Sequence, residues 1–471
     1  MLIRAAWIAD RYAAWRRAGD RGQLARALQI VDELEDWNLP SDLIEPRLIE
    51  MRRWRPNALL RLGRADQARL RLKGNESRFG RDWTSRLSAA RLFYFENRLE
   101  EAEIALREAI VLVPHGAGRA ARVQRLSHAL CDVLCLAGRT QEARAMLLDQ
   151  IGPPQTWDNA DMIALRQTIA CPDDLNWLAA ALSGLMGSVS YQGLMALHHY
   201  SWCCREMEAY DAAEDAARRR LLLGLELRPF GAKPKKTVDS RSWVEAAKQA
   251  LFDMQAAFHS IGAEFFLISG TLLGCVREGG ILPHDKDIDV GVLDAGPEER
   301  RHIEAALVSW GCFSRKPYRN GALLRLQHAN GVLIDVFWHR NEGGLILHEG
   351  LKSKWWNTPF ALEDRSFLGG SFKAPVDVDR YLEENYGDWR VPRSDFETFS
   401  DTPNMAVTND GEMIWYGYTK ALDYYHAGRS YHFDRIARIL LGYRPRDRLI
   451  LRLLREVENL AAQDVPGHLP A

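Results

Sequence analysis

The sequence predicts a multidomain protein: an all-α helical repeat domain over residues 1–227, a linker over 228–240, and an α/β (α+β) domain over 241–471 that closes in further helices. Three observations carry this. A chain of 471 residues is too long for one ordinary core. Residues 1–227 read as helix after helix with no convincing strand, and an apolar run short enough for a buried strand opens at Phe265. Between them RPFGAKPKKTVDS, with two prolines, a glycine and three lysines, has the composition of a linker.

The helical half carries a weak repeat. Segments starting at Gly22, Gly63, Asn97, Gly138 and Glu208 share a form, a turn and a helix start with alanine five residues on: Ala27, Ala68, Ala102, Ala143 and Ala213. The gaps between these alanines are 41, 34, 41 and 70 residues, the last close to two repeats. A small residue there lets paired helices approach, and Pro114 closes the second helix of the third repeat. The pattern is similar to degenerate tetratricopeptide repeats, which implies a curved stack able to bind a protein partner; buttressing of the other domain is the plainer alternative. Arginines such as Arg16, Arg17, Arg52 and Arg53 are read as solvated helix faces, and His198, His199 and Trp202 as packing residues.

After the linker, Ser242 to Glu245 has the form of a capping box, and Val244, Ala247, Leu251, Met254, Phe258 and Ile261 follow at steps of three and four. A buried strand is expected over 265–268, then a break at Ser269-Gly270-Thr271, with Thr271 capping a short helix to about Arg277. A Gly279-Gly280 turn leads to a strand carrying Asp287-Ile288-Asp289, on which both carboxylates share a face and Ile288 enters the core. A covering helix follows over 298–310. A hairpin pairs 322–329 with 332–338 around Asn330-Gly331; a type I′ turn there sets Leu326 opposite Asp335 and Arg325, otherwise a phosphate candidate, on the other face, a placement that a one-residue bulge would reverse. The stretch 355–375, rich in aromatics and glycine, is expected to be a wall for a base or sugar, or an irregular cover; Lys352 and Lys354 precede it as weak phosphate candidates. Residues 377–386 read as a helix ended by Gly387, and the chain is helical again beyond Trp415.

The chemistry gathers around 265–293. Two hard oxygen ligands on one strand face, joined by Asp335 from another strand 46 residues later, suit one or two Mg²⁺ (or Mn²⁺) ions against a nucleotide's phosphates. Asp335 is also a candidate base. Ser269, Gly270 and Thr271 offer backbone and hydroxyl donors to phosphate, because glycine admits close approach and a helix start presents free N–H groups. Arg277 is the best nearby cation. Lys286 either offsets nucleotide charge or points to water.

GTLLGCVREGGILPHDKDIDVGV resembles the signature of the LicD/fukutin family of nucleotidyltransferase-fold enzymes, and LIDVF at 333–337 and YLEENYGDW at 381–389 are similar to two later family segments. His284 and Lys286 depart from the usual pattern. The resemblance implies a nucleotidyltransferase-like catalytic domain with Asp287, Asp289 and Asp335 as metal-binding catalytic residues. It implies transfer of an alditol phosphate or phosphocholine from a nucleoside-diphosphate-activated, CDP-linked donor onto a glycan in polysaccharide or glycoconjugate biosynthesis. Nucleotidyl transfer to a sugar phosphate, or a scaffold with an inactive catalytic domain, are the alternatives.

Lys plus Arg total 62 and Asp plus Glu 63, a balance that argues against a nucleic-acid binder. Seven scattered cysteines show no metal or disulfide framework, and no stretch has the length and apolarity of a membrane span. The expectation is a cytoplasmic enzyme, or one peripheral at a membrane through basic C-terminal helices that more ordinarily cover a core.

Overall fold

The computed structural model describes residues 2–20, 23–35, 46–231, 240–283, 285–316, 321–393 and 396–463. Most of the expected linker, and His284, lie outside the described residues.

Two compact units are present. The first comprises Met1–Arg139, Asp239–Arg340 and Ala361–Val376, and the second Thr140–Val238, Asn341–Phe360 and Asp377–Ala471. Compactness thus divides the chain elsewhere than the sequence boundary at 228–240. In the first unit, helices from the repeat region pack directly on the later segment: Lys316 Nζ lies 3.5 Å from Tyr94 Oη, and a Cβ on Gly63 would run into the Asp253 carboxylate. In the second, Arg205 Nε donates to the fully buried Glu412 at 2.7 Å, and Arg218 Nε to Asp447 at 3.1 Å. Breaking one partner out of such a buried pair strands a charge, so these contacts bind helices far apart in sequence into one body.

The repeat reading has a clear physical counterpart. Ala27, Ala68, Ala102, Ala143 and Ala213 all lie in helices and are at most 1% exposed, so a longer side chain at any of them would have to displace packed neighbours. The turn positions among the described residues take the left-handed conformation: Gly63 at φ +71°, Asn97 at +56°, Gly138 at +77° and Glu208 at +57°; Gly22 lies outside the described residues. Glycine and asparagine bear this readily; at Glu208 it carries strain.

Ten strands are described: β1 Phe266–Leu267, β2 Asp287–Leu293, β3 Phe313–Lys316, β4 Leu323–His328, β5 Leu333–Glu342, β6 Leu345–Glu349, β7 Ser353–Asn357, β8 Leu362–Phe367, β9 Gly370–Pro375 and β10 Met405–Val407. In the first unit they run in the order β3-β4-β5-β2-β1-β9-β8, antiparallel except for the parallel pairs β5/β2 and β1/β9. Helix Ser240–Ser260 covers this sheet through Ala247, Ala250, Leu251, Met254, Ala257 and Phe258, each at most 1% exposed. It begins at Ser240, so Ser242 lies inside it and the expected capping box is not its start. Helix Pro297–Ser309 matches its expected range within a residue.

In the second unit β6, β7 and β10 form an antiparallel set beside helices such as Tyr210–Leu227, Asp410–His426 and Arg448–Gln463. The stretch 355–375 is therefore not an irregular cover. It is built of strands, the end of β7 in the second unit and β8 and β9 in the first. Helix Val378–Tyr386, capped by Asp377 and stopped by Gly387 at φ +65°, forms where the sequence placed it. Among the described residues no helix is long and apolar enough to cross a membrane.

Candidate active site

Strand β2 has both faces engaged: Ile288 and Val290 are fully buried, while Asp287 and Asp289 share the opposite face and are partly buried. It pairs in parallel with β5 so that Asp289 stands beside Asp335. Carboxylate oxygens of Asp287, Asp289 and Asp335 lie within 4.8 Å of one another. Like charges this close, out of water, disfavour ionisation. Burial, then the neighbouring Asp285 and Asp335, raise Asp287 to about 6. Burial first, then Asp287 and Asp335, push Asp289 well above the usual carboxylate range.

The segment before β2 braces this cluster. Ser269 takes φ +47° as the first residue of helix Ser269–Leu273, which continues as a wider π-turn over Gly274–Glu278. Thr271 does not cap this helix. It sits inside it, 4% exposed, and its Oγ1 accepts a 3.0 Å hydrogen bond from the Asp289 backbone N–H. That bond fixes the height of β2 against the helix. Gly270 has no room for a Cβ, because the Asp285 carboxylate occupies that space; burial raises the pKa of Asp285 also. Gly274 faces the Gly280 carbonyl in the same way, closing the loop that returns the chain to β2.

Among the cations, Arg325 departs from expectation. Arg277 Nε donates to its neighbour Glu278 at 2.9 Å. Lys286 is exposed, with its backbone N–H donating to Asp285. Arg325, expected on the far face, is in the site: it stands opposite Asp335 in the β4/β5 register. Its Nε donates to Asp335 Oδ1 at 2.7 Å and its terminal nitrogen to Oδ2, a two-pronged grip on a carboxylate that is only 4% exposed.

The cause is the turn. The last hydrogen bond of the hairpin runs from His328 N–H to Val332 O, leaving three loop residues, Ala329 to Gly331, rather than two. Only Gly331, at φ +99°, is left-handed, whereas a type I′ turn needs Asn330 to be so as well. Asn330 is held otherwise: its Nδ2 donates to Ala246 O at 2.8 Å and its Oδ1 accepts from Val332 N–H. One extra residue moves every side chain of the strand to the other face. The charge balance was the available signal, since three carboxylates on one face call for a cation beside them.

A second group, Asp253, Cys312 and His328, also has ligand atoms within 4.8 Å of one another. The Asn330 backbone N–H donates to His328 Nδ1 at 3.2 Å, so Nε2 carries the ring proton and donates to Asp253 at 3.0 Å. A metal on Nε2 would require a proton on Nδ1, facing another donor. This group is a hydrogen-bonded brace.

The aromatic residues considered for a base lie in the second unit. Trp355 stacks on His348 at 5.2 Å, and Lys352 Nζ sits 4.7 Å from the Phe399 ring centroid and 4.8 Å from that of Tyr416. Asn404 donates to the Trp356 carbonyl at 2.6 Å, tying β10 to β7.

A carboxylate pair on β2, a third on a parallel neighbour, and a braced glycine turn ahead of them make a recognisable constellation. Residues 262–377 match the LicD/FKTN/FKRP nucleotidyltransferase domain. All three carboxylates, Thr271 and Arg325 fall inside this LicD domain. Two relatives named ribitol-5-phosphate transferase FKTN match over 179 residues: that of Mus musculus is 30% identical and that of Homo sapiens 27%. Each alignment takes in 36% of this chain and 38% of the relative, so the chain spans about two fifths of these proteins. A solved Podosopora anserina kinesin light chain with nearly identical TPR-like repeats aligns with 47% of this chain and 96% of its own, at 14% identity and a TM-score of 0.30.

Proposed function

We propose that the protein is a metal-dependent phosphotransferase that moves an alditol phosphate or phosphocholine from a CDP-linked donor to a glycan hydroxyl. The observation that carries it is the convergence of Asp287, Asp289 and Asp335 from two paired strands, within 4.8 Å. Three hard oxygen donors suit Mg²⁺ or Mn²⁺, and the raised pKa values of Asp287 and Asp289 express burial first and crowded negative charge second, a charge that a divalent cation would relieve. Bound there, such an ion would neutralise the diphosphate and lower the pKa of an attacking hydroxyl.

The chain's own groups do the positioning. Thr271 holds β2, and with it Asp289, at a fixed height. Ser269 and Gly270 line the turn beside the carboxylates, where backbone N–H groups can meet a phosphate. The acceptor oxygen attacks phosphorus, the bond from phosphorus to the nucleoside monophosphate breaks, and the hydroxyl proton passes to a carboxylate of the cluster. Asp335, the candidate base, is gripped through both oxygens by Arg325, so it can take that proton only once the guanidinium has let go. The names of the FKTN relatives support ribitol phosphate as the transferred group. The repeat helices are proposed to offer a protein-binding surface, and a cytoplasmic or membrane-peripheral location remains part of the reading.

The test is a thermal-shift and calorimetric series of CMP, UMP, GMP and AMP and their activated conjugates with Mg²⁺, followed by product analysis. Cytidine ligands should bind about tenfold tighter, near 1.4 kcal/mol. Turnover should release CMP. Equal affinities, or a purine preference, would remove cytidine; release of pyrophosphate would identify nucleotidyl transfer instead.

A further inference from the structure

We infer that Arg325 is a built-in occupant of the metal site, which releases Asp335 when a divalent cation arrives and then turns to the donor's phosphate. This rests on the metal reading above and adds to it a residue and an order of events.

Charge comes first. Asp285, Asp287, Asp289 and Asp335 bring four carboxyl groups into one region, and two cations stand near them: Arg325, opposite Asp335 in the β4/β5 register, and Lys286, next to Asp285 and Asp287 in sequence. Lys286 is exposed to water, so Arg325 is the cation built into the cluster. Its fork engages both oxygens of Asp335, in the geometry by which guanidinium groups recognise carboxylate and phosphate alike. A divalent ion held by Asp287, Asp289 and Asp335 must share the Asp335 oxygens with this guanidinium. Two positive groups on one buried carboxylate repel in a medium that screens poorly. The ion carries the larger charge and has two further ligands, so Arg325 gives way.

The two partners differ in exposure. The Asp335 side chain is 5% exposed and the Arg325 side chain 35%, so the arginine is the member of the pair that reaches water. Its backbone stays fixed in β4, paired with Leu333–Phe337 of β5. The released guanidinium therefore remains within a side chain's length of the carboxylates, where a metal-bound diphosphate presents oxygens to it.

The experiment titrates the full-length chain with Mn²⁺ alone by calorimetry, then with CDP at saturating Mn²⁺, for the parent, Arg325→Met and Arg325→Lys. Removing the competing charge should tighten Mn²⁺ binding by about tenfold in Arg325→Met, while CDP binding weakens by about tenfold. Arg325→Lys keeps the charge and loses the fork: Mn²⁺ affinity should stay within about twofold of the parent and CDP affinity should still fall. A merely structural Arg325 would weaken both ligands together in Arg325→Met. Unchanged or weaker Mn²⁺ binding in a folded Arg325→Met, or unchanged CDP binding in either variant, overturns the exchange and leaves the metal reading standing. If Arg325→Met does not fold, the CDP affinity of Arg325→Lys decides. Failure of the parent and both variants to bind Mn²⁺ overturns the metal reading and this inference together.

Discussion

Asp287→Asn should stabilise the metal-free protein, and should do so more strongly as pH rises. Asp287 keeps its proton up to about pH 6 in the folded chain, against an ordinary value of 3.8, because it is buried beside Asp285 and Asp335. A folded-state pKa above the unfolded one means that the group's contribution is fully present below pH 3.8 and is lost as pH climbs through 6. At about 1.36 kcal/mol per pH unit, the charged site costs about 3 kcal/mol at pH 8 and about 0.5 kcal/mol at pH 4. Asparagine never ionises and escapes that cost. Its stability advantage over the parent should therefore grow by about 2 kcal/mol between pH 4 and pH 8. Denaturant unfolding of both proteins in EDTA at several pH values reads this as a difference of midpoints, in which titrations common to both cancel. A constant difference across the range, or an asparagine variant that loses ground at high pH, would show that the carboxylates are not crowded.

Mg²⁺ should reverse the effect, stabilising the parent and leaving Asp289→Asn unmoved in a thermal shift; turnover of that variant should fall at least about a hundredfold, near 2.7 kcal/mol. Thr271→Val should cost about 1–3 kcal/mol by denaturant unfolding, because it leaves the buried Asp289 N–H without an acceptor. Gly270→Ala should displace Asp285 and weaken Mn²⁺ binding without unfolding the chain, as circular dichroism and calorimetry would show. Ala102→Leu should destabilise by about 1–3 kcal/mol, since the site is fully buried at a helix pair and cannot take three more carbons.

The local rules that read the chain well were those that depend on neighbours in sequence. The period-two face of Asp287 and Asp289, the glycine stop of helix Val378–Tyr386 and the buried alanines of the repeat all follow from short-range geometry. Arg325 was misplaced because its face depends on the length of a distant turn, and Asn330-Gly331 reads the same in a two- or a three-residue loop until the Asn330 side chain finds Ala246. Thr271 reads as a cap from its neighbours alone, because its true partner, the Asp289 N–H, lies 18 residues on. The grouping of the repeat helices with later segments was equally hidden, since pairs such as Arg205 with Glu412 span 207 residues and leave no local pattern.

The three-residue turn at Ala329 to Gly331 acts as a reading frame. Surface loops ordinarily tolerate a residue more or less, and this one has Gly331 in solvent. Here the count of loop residues decides which strand positions are decoded as site and which as core. Deleting one would present Leu324 and Leu326 to the carboxylates and drive Arg325 into the space those leucines fill. Change within the β4–β5 turn should therefore come as substitution or as paired insertions, and epitope tags or circular permutation at this exposed tip would silence the site without touching any residue in it.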